Sequence, residues 1–336
     1  MKIFVTGGCG FIGSAVVRYL IHKTNHEVVN IDKMTYAASQ KSVACCETSE
    51  RYFFEKVDIV NKKKIEGLFD QYQPDKIIHL AAESHVDRSI DEPSDFINTN
   101  IVGTYVLLDQ AHKYYKNLLG GKKDTFRFHH VSTDEVFGDL DDTGFFDEKT
   151  SYDPSSPYSA SKAASDHLVR AWGRTFGLPY TISNCTNNYG PYQFPEKMIP
   201  VMILNCLNEK SLPIYGNGLN VRDWLYVEDH AEAIYKILFD GKNGETYCVG
   251  GECEKNNLDI VDSICNLMDS LYPLTNAKDS YKELKTFVKD RDGHDFRYAM
   301  DIKKIKSELN WSPIHTFDEG IKKTVKWYTQ HWGCVA

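Results

Sequence analysis

A glycine-rich junction, Thr6-Gly7-Gly8-Cys9-Gly10-Phe11-Ile12-Gly13, joins a short β-rich run at residues 3–6 to a segment at 11–22 whose apolar residues recur with helical spacing. Few architectures accept three glycines there. At positions 7, 10 and 13 they let the backbone turn tightly, approach a pyrophosphate and pack helix against strand. The strand-turn-helix context separates this run from a chance glycine pattern, and Asp32 follows 19 residues after Gly13, ending a second extended run over 28–31. A carboxylate at that point accepts hydrogen bonds from a ribose 2′-hydroxyl and repels a 2′-phosphate. NAD is therefore expected over NADP, with adjacent Lys33 as the opposing charge.

The alternation continues with helical spacing at 62–71, an extended run at 76–80, a long helix at 93–115, an extended run at 126–133, a helix at 158–176 and an extended run at 180–184. This rhythm predicts an α/β fold, a Rossmann-type doubly wound parallel sheet wrapped by helices on both faces. After about residue 185 it loosens, punctuated by Pro191, Pro195, Pro200 and Pro213, and helices recur at 227–239, 258–271 and 317–330. The expected organisation is an NAD-binding domain over 1–185, to which part of 220–250 returns, and a smaller α/β substrate-binding lobe over 186–336. That lobe would cap the carboxyl edge of the sheet, where open α/β sheets bind ligands. Residues 118–125, with Gly120-Gly121, read as a plain surface loop.

Two further strand ends bear on the cofactor. Leu80-Ala81-Ala82 offers small residues suited to close passage of a dinucleotide. Asp58-Ile59 ends another extended stretch, where the acid either flanks an adenine ring or sits solvated in a loop.

Chemistry concentrates at two places. Tyr158 and Lys162 are four residues apart, so they share a helix face on which an ammonium lowers the phenol pKa. Tyrosine–lysine pairs at this spacing are common on helices, but Pro154 and Pro157 just upstream suit a loop that delivers Tyr158 at a helix start. Thr133-Asp134-Glu135 closes the strand containing Val131 and Ser132. Adjacent loop acids are commonly solvated. At a strand exit facing the ligand crevice, however, burial and like-charge repulsion separate two carboxyl pKa values, so that one donates while the other accepts. Two acids are surplus for hydride transfer and suggest the removal of water. Ser84-His85-Val86-Asp87-Arg88 brings polar groups to the same crevice, with His85 as either a base or a positioning group. Arg222, Arg291 and His294 are the cations suited to a diphosphate.

Composition narrows the partners. Lys plus Arg is 39 against 47 for Asp plus Glu, a net charge of −8 that argues against a nucleic-acid or anionic-membrane surface. No apolar run approaches the roughly 20 residues needed to span a bilayer, and the apolar N-terminal stretch is too short for a signal-peptide core. Nine cysteines without a C-x-x-C pair suggest reduced thiols and a cytoplasmic setting. Cys45-Cys46, lacking further paired ligands in the sequence, reads as structural or incidental, and no metal is expected.

Taken together, the motifs resemble the extended short-chain dehydrogenase/reductase family, and within it the nucleotide-sugar 4,6-dehydratases. The resemblance runs nearly the whole chain: the glycine turn, Asp32-Lys33-Met34-Thr35-Tyr36, Ala82-Glu83-Ser84-His85-Val86-Asp87, Thr133-Asp134-Glu135-Val136-Phe137-Gly138 and Tyr158 to Lys162. It continues through Asn187-Asn188-Tyr189-Gly190-Pro191, Phe194-Pro195-Glu196-Lys197, Arg222-Asp223-Trp224-Leu225-Tyr226 and Asp290-Arg291-Asp292-Gly293-His294. The Thr-Asp-Glu tripeptide discriminates, because related epimerases and decarboxylases differ there. Phe137 and Met198 stand where tyrosine and leucine are common, and Ala37-Ala38-Ser39 and Glu252-Cys253 also depart from the usual pattern.

The resemblance implies a substrate, dTDP-glucose, that is dehydrated to dTDP-4-dehydro-6-deoxyglucose. Tyr158, supported by Lys162, would take the C4 hydroxyl proton as hydride passes to NAD⁺, and Thr133 would hydrogen-bond at C4. Glu135 would remove the C5 proton, Asp134 would protonate the departing C6 hydroxyl, and hydride would return to C6 and a proton to C5. The resemblance further places Phe11, Ile12, Lys33, Met34, Thr35, Asp58, Ile59, Ser84, Thr99 and Asn188 on the cofactor. Ser84, His85, Asn187, Lys197, Met198, Pro213, Ile214, Tyr215, Arg222, Asn257, Arg291 and His294 would meet the nucleotide-sugar. It also implies a homodimer that pairs the helices near 93–115 and 158–176 in a four-helix bundle. Three alternatives stay open: a UDP-glucose 4,6-dehydratase, a UDP-sugar 4-epimerase needing no elimination acids, and a non-catalytic nucleotide-sensing module on the same fold.

Overall fold

The computed structural model describes residues 1–274, 279–290 and 293–331. The first half of the chain lays down strands β1 (Lys2–Thr6), β2 (Glu27–Asp32), β3 (Tyr52–Lys56), β4 (Lys76–His79), β5 (Arg127–Thr133) and β6 (Tyr180–Cys185). The second half adds β7 (Asn187–Tyr189), β8 (Leu212–Tyr215), β9 (Val221–Tyr226), β10 (Thr246–Val249), β11 (Glu254–Asn256) and β12 (Lys285–Val288). Seven of them form one sheet in the order β10-β6-β5-β4-β1-β2-β3. Every pairing in it is parallel. Strand order reverses beside β1, which pairs β2 on one side and β4 on the other, and a crevice opens at the carboxyl ends there.

Strands buried on both faces read as continuous apolar runs. Ile3 and Val5 of β1 join a core with Leu20, Val28 and Ile234, whereas Phe4 between them joins Ile77, Leu107 and Phe128 on the opposite face. Full burial of a side chain such as Phe4 contributes about 1.5–3 kcal/mol.

The helices are α1 (Phe11–Lys23), α2 (Lys62–Tyr72), α3 (Val86–Asp91), α4 (Pro93–Phe96), α5 (Thr104–Asn117), α6 (Gly120–Thr125), α7 (Pro157–Phe176), α8 (Met198–Leu207), α9 (Val227–Asp240), α10 (Asn257–Leu271), α11 (Lys303–Leu309) and α12 (Phe317–His331). The sequence predicts one long helix over 93–115. Instead a π-helical segment, Ile97–Gly103, separates α4 from α5. It presents buried Asn100, whose side chain accepts from the Glu83 amide (2.8 Å) and donates to the Glu83 carbonyl (3.0 Å) and to Ser161 Oγ (2.8 Å). The stretch over 118–125 is likewise more ordered than a plain loop. It carries α6, where Thr125 Oγ1 donates to the Gly121 carbonyl (2.9 Å) and Lys122 Nζ to the Gln73 carbonyl (2.6 Å).

A second core gathers α8, α10 and α12 around residues such as Ile203, Ile264 and Val325. It is flanked by the sheet β11-β9-β7 and the pair β12-β8. Among the described residues no helix is long and apolar enough to cross a membrane.

Candidate active site

The cradle at the crevice follows from backbone geometry. Gly7 has φ +72°, and a Cβ there would lie 2.8 Å from Ala81 Cα. A Cβ on Gly13 would collide with the Gly7 carbonyl oxygen. Only glycine lets the turn close this tightly on its own backbone and on the end of β4. At the end of β2 the buried Asp32 carboxylate accepts from the Cys9 amide (2.9 Å) and the Met34 amide (2.8 Å). Burial pushes its pKa up, and these two bonds oppose the push. Lys33 turns its ammonium to Thr99 Oγ1 (3.0 Å) and Glu83 (3.2 Å), so a carboxylate already answers its charge.

A cavity of about 300 Å³ runs from this cradle to the exit of β5. Gly7, Gly10, Phe11, Ile12, Gly13, Asp32, Lys33, Thr35, Ile59, Leu80, Ala81, Ala82, Ser84, Thr99 and Asn188 line it, together with Thr133, Asp134, Glu135, Tyr158 and Lys162. Met34 and Asp58 do not. Met34 contributes its amide to Asp32, and Asp58 accepts from the Val60 amide (3.1 Å), which closes its own loop.

Tyr158 is delivered by a capping box. Ser156 Oγ accepts from the Ser159 amide and Ser159 Oγ from the Ser156 amide, both at 3.0 Å, with Pro157 at the first helical position of α7. Such caps contribute about 1 kcal/mol and fix the first turn. Lys162, one turn on, is buried and donates to the Val131 carbonyl (2.9 Å). The spacing leads one to expect a lowered phenol pKa, yet the phenol is pushed well up, by burial first and then by the Glu135 charge, against a hydrogen bond from Thr133. The reason is geometric: the lysine is committed to β5, while an acid faces the tyrosine.

Behind Lys162 lies buried Asp166, which accepts from Ser132 Oγ (2.9 Å) and Tyr152 OH (2.7 Å) and lies 3.1 Å from His130 Nε2. Burial lowers the Lys162 pKa, and the Asp166 charge opposes that.

Thr133 caps a single 3-10 turn, Asp134–Phe137, accepting from the Glu135 amide (3.3 Å) and donating to Asp134 Oδ1 (3.1 Å). Gly138 at φ +90° ends the turn, with Asp153 too close for any side chain. The Asp134 carboxyl is 2% exposed, and its Oδ2 has no hydrogen-bond partner among the described residues. Burial first, then Glu135, drives its pKa well above the carboxylate range. A neutral acid, a phenol and a second carboxyl therefore share one wall.

A second cavity of about 280 Å³ meets the first at Glu135, Asn187, Asn188, Gln193, Glu196 and Lys197. Its walls include His85, Met198, Pro213, Ile214, Tyr215, Arg222, Asn257 and His294. Arg222 is held by the carbonyls of Val221 (2.7 Å), Phe296 (3.1 Å) and Asp295 (2.8 Å), and its guanidinium stacks 4.3 Å over Tyr298. His85 Nε2 lies 3.8 Å from Glu196, and Lys197 donates to the Ser84 carbonyl (2.9 Å). Arg291 and Asp292 lie outside the described residues.

Sequence reasoning passed over Cys185, Thr186, Gln193, Trp224, Asp295 and Tyr298, all of which line one cavity or the other. Gln193 and Glu196 flank the Phe194-Pro195 turn, a signal within reach. Asp295 and Tyr298 follow a segment with no periodicity and are brought in by the parallel bridge between Val221 and Arg297.

Comparison with known proteins gives these walls a setting. The family described as GDP-mannose 4,6 dehydratase matches residues 4–324. The dTDP-glucose 4,6-dehydratase 1 of Escherichia coli K12 is 58% identical over 337 residues, covering 98% of this chain and 92% of that protein. The dTDP-glucose 4,6-dehydratase DesIV of Streptomyces venezuelae, solved with NAD and dTDP bound, superposes with TM-score 0.90 at 40% identity over 99% of this chain and 98% of its own. A UDP-glucose 4-epimerase of Thermotoga maritima, solved with UDP-glucose, reaches TM-score 0.86 at 26% identity, covering 99% of this chain and all of its own. The fold thus spans both chemistries, and the site must choose between them.

Proposed function

Because the chain belongs to the GDP-mannose 4,6 dehydratase family, and within it to the dTDP-glucose 4,6-dehydratases, we propose that it converts dTDP-glucose to dTDP-4-dehydro-6-deoxyglucose, with NAD⁺ regenerated in each cycle. The glycine cradle fits a dinucleotide, since Gly7, Gly10 and Gly13 line the first cavity with bare backbone at the start of α1, where phosphates are held. Gly7, Gly10, Gly13, Asp32, Leu80 to Ala82, Thr99 and Asn188 would hold it, with Asp32 favouring an unphosphorylated ribose. When bound, NAD⁺ supplies a reversible hydride acceptor.

With NAD⁺ bound, its positive charge would oppose the burial and the Glu135 charge that raise the phenol, and Tyr158 as phenolate would take the proton of the C4 hydroxyl as that carbon is oxidised, with Thr133 orienting the same oxygen. The C4 ketone makes the C5 hydrogen acidic. Glu135 removes it while Asp134, protonated beforehand, gives its proton to the departing C6 hydroxyl. Lys162, with Asp166 behind it, keeps a positive charge on the tyrosine side of the cavity. In the second cavity Asn187, Lys197, Met198, Pro213 to Tyr215, Arg222, Asn257 and His294 would hold the nucleotide-sugar.

The observation that carries this reading is Asp134, a buried neutral acid beside Tyr158 and Glu135. Epimerisation at C4 requires a base and no elimination acid. The test is to incubate the protein with dTDP-glucose and, separately, with UDP-glucose, and to weigh the products. Elimination removes water, about 18 Da. Loss from dTDP-glucose supports the reading, loss from UDP-glucose alone reassigns the base, and an unchanged mass in both overturns it. A thymine methyl is worth about 1–3 kcal/mol of discrimination in a fitted pocket.

A homodimer belongs to the same proposal. Ile97, Val102, Tyr105 and Phe176 are exposed on α5, α7 and the π-helical segment. Tyr105, Trp172 and Phe176 form one chain of rings at 5.9 and 5.4 Å. A connected apolar patch of this kind suits a second copy, and sedimentation of a lone 38.4 kDa species would refute it.

A further inference from the structure

Away from both cavities, a histidine and a neighbouring pair of cysteines more than 20 residues further along the chain come together. His22 lies in the last turn of α1, and Cys45 and Cys46 close the 3-10 turn Gln40–Cys46. His22 Nε2 is 3.4 Å from Cys45 Sγ and 3.8 Å from Cys46 Sγ, and the two sulfurs are 4.0 Å apart. A tetrahedral zinc ion, with Zn–S about 2.3 Å and Zn–N about 2.0 Å, holds its ligands about 3.5 Å apart from nitrogen to sulfur and about 3.8 Å apart from sulfur to sulfur. The three atoms already stand within a few tenths of an ångström of that triangle.

We propose that His22, Cys45 and Cys46 form a binding site for one soft divalent cation, of the zinc class, with the fourth position left to water. Sequence alone showed only a neighbouring pair of cysteines. The fold supplies the third ligand, from more than 20 residues upstream.

The surroundings suit such an ion. Two thiolates balance a divalent charge, and thiolate with imidazole selects zinc or cadmium over magnesium. Arg18, fixed by the Ser42 carbonyl (2.7 Å) and Ser14 Oγ (3.0 Å), lies near enough to Cys46 that its charge favours the thiolate. His22 and Lys23 end α1, where the helix carbonyls favour positive charge. Thiols bind a metal as thiolates, so binding has to displace protons, and affinity should rise with pH.

The turn that holds the cysteines also touches the dinucleotide cradle. Ser39 gives its amide to the Cys9 carbonyl (2.9 Å), and Ala37 and Ala38 line the first cavity. A bound cation would pin this loop to α1. The site does not depend on the dehydratase reading.

The test uses full-length protein dialysed free of metal and titrated with Zn²⁺ against a chromophoric chelator, and with Co²⁺ for its sulfur-to-metal absorption band. One ion per chain and a thiolate band are expected. Cys45→Ser and His22→Gln change exposed residues and should leave the metal-free melting temperature unaltered. Each should weaken binding at least about tenfold, and excess Mg²⁺ should not compete. Wild-type affinity retained in both variants, or no thiolate band in the wild type, overturns the site.

Discussion

Asp134→Asn separates the outline of a side chain from its proton. In the folded protein, burial and then the Glu135 charge push the pKa of this carboxyl well above its ordinary range, toward the neutral form. An amide has the same shape and no charge. Its oxygen keeps the 3.1 Å bond from Thr133, and its nitrogen takes the place of Oδ2, which has no partner to lose. Below about pH 4, where the wild-type carboxyl is protonated both folded and unfolded, stability should therefore change by no more than about 1 kcal/mol.

The sign of the pH dependence follows from linkage. A carboxyl protonated when folded and ionised when unfolded makes stability fall with pH, by about 1.4 kcal/mol per unit, from the unfolded pKa up to the folded one. The variant lacks that slope and should gain on the wild type as pH rises above about 4. Catalysis behaves differently, since an amide has no proton to give the leaving hydroxyl. Loss of a general acid costs about 10²–10⁴-fold in rate, or about 3–5 kcal/mol of barrier. In a single turnover with dTDP-glucose, oxidation should proceed while elimination stalls, so NADH absorbance should build up and persist. A variant with wild-type turnover and a wild-type transient, or with a stability–pH curve parallel to the wild type, refutes the assignment.

Three further outcomes follow from the same walls. Tyr158→Phe should abolish the NADH transient and slow turnover by about 10²–10⁴-fold; an unchanged transient removes the phenol from its role. Asp166→Asn should cost about 3 kcal/mol in denaturant unfolding, because Ser132, Tyr152 and His130 lose a shared anion. Against the push of burial these partners hold its pKa below the ordinary range, so that contribution should be lost only as pH falls through the depressed value; an unchanged midpoint in the variant denies the network its weight. Gly13→Ala drives a methyl into the Gly7 carbonyl and should cost about 1–3 kcal/mol of stability, read as a lowered denaturation midpoint, while a midpoint like that of the wild type means the turn can relax.

Periodicity made the sheet legible. Strands β1, β2, β4, β5 and β6 and helices α1, α2, α7, α9, α10 and α12 stand within a residue or two of where apolar spacing puts them. The π-helical segment left no such trace, because its cause is distant. Asn100 is drawn in by Glu83 and Ser161, and apolar spacing cannot report a buried polar partner. The site divides the same way. Local backbone demands, such as the glycines and the Pro157 start of α7, showed in the sequence. Lys162 showed through its spacing from Tyr158, but its anchor did not, because its partner is the Val131 carbonyl, and a carbonyl has no residue letter. The cluster of His22 with Cys45 and Cys46 depends on how α1 lies against the turn that follows β2, a tertiary fact.

The passage of the chain between its two main cores has a mechanical result. It leaves the large sheet after β6, returns through α9 and β10, and departs again into β11. A jaw that swings on one joint needs a single strap, and here several straps would have to bend in concert. Ligand entry should therefore rely on shifts of the short loops at the rim, such as the one around Phe194 and Pro195, and a protease nick in one connection should not free either half.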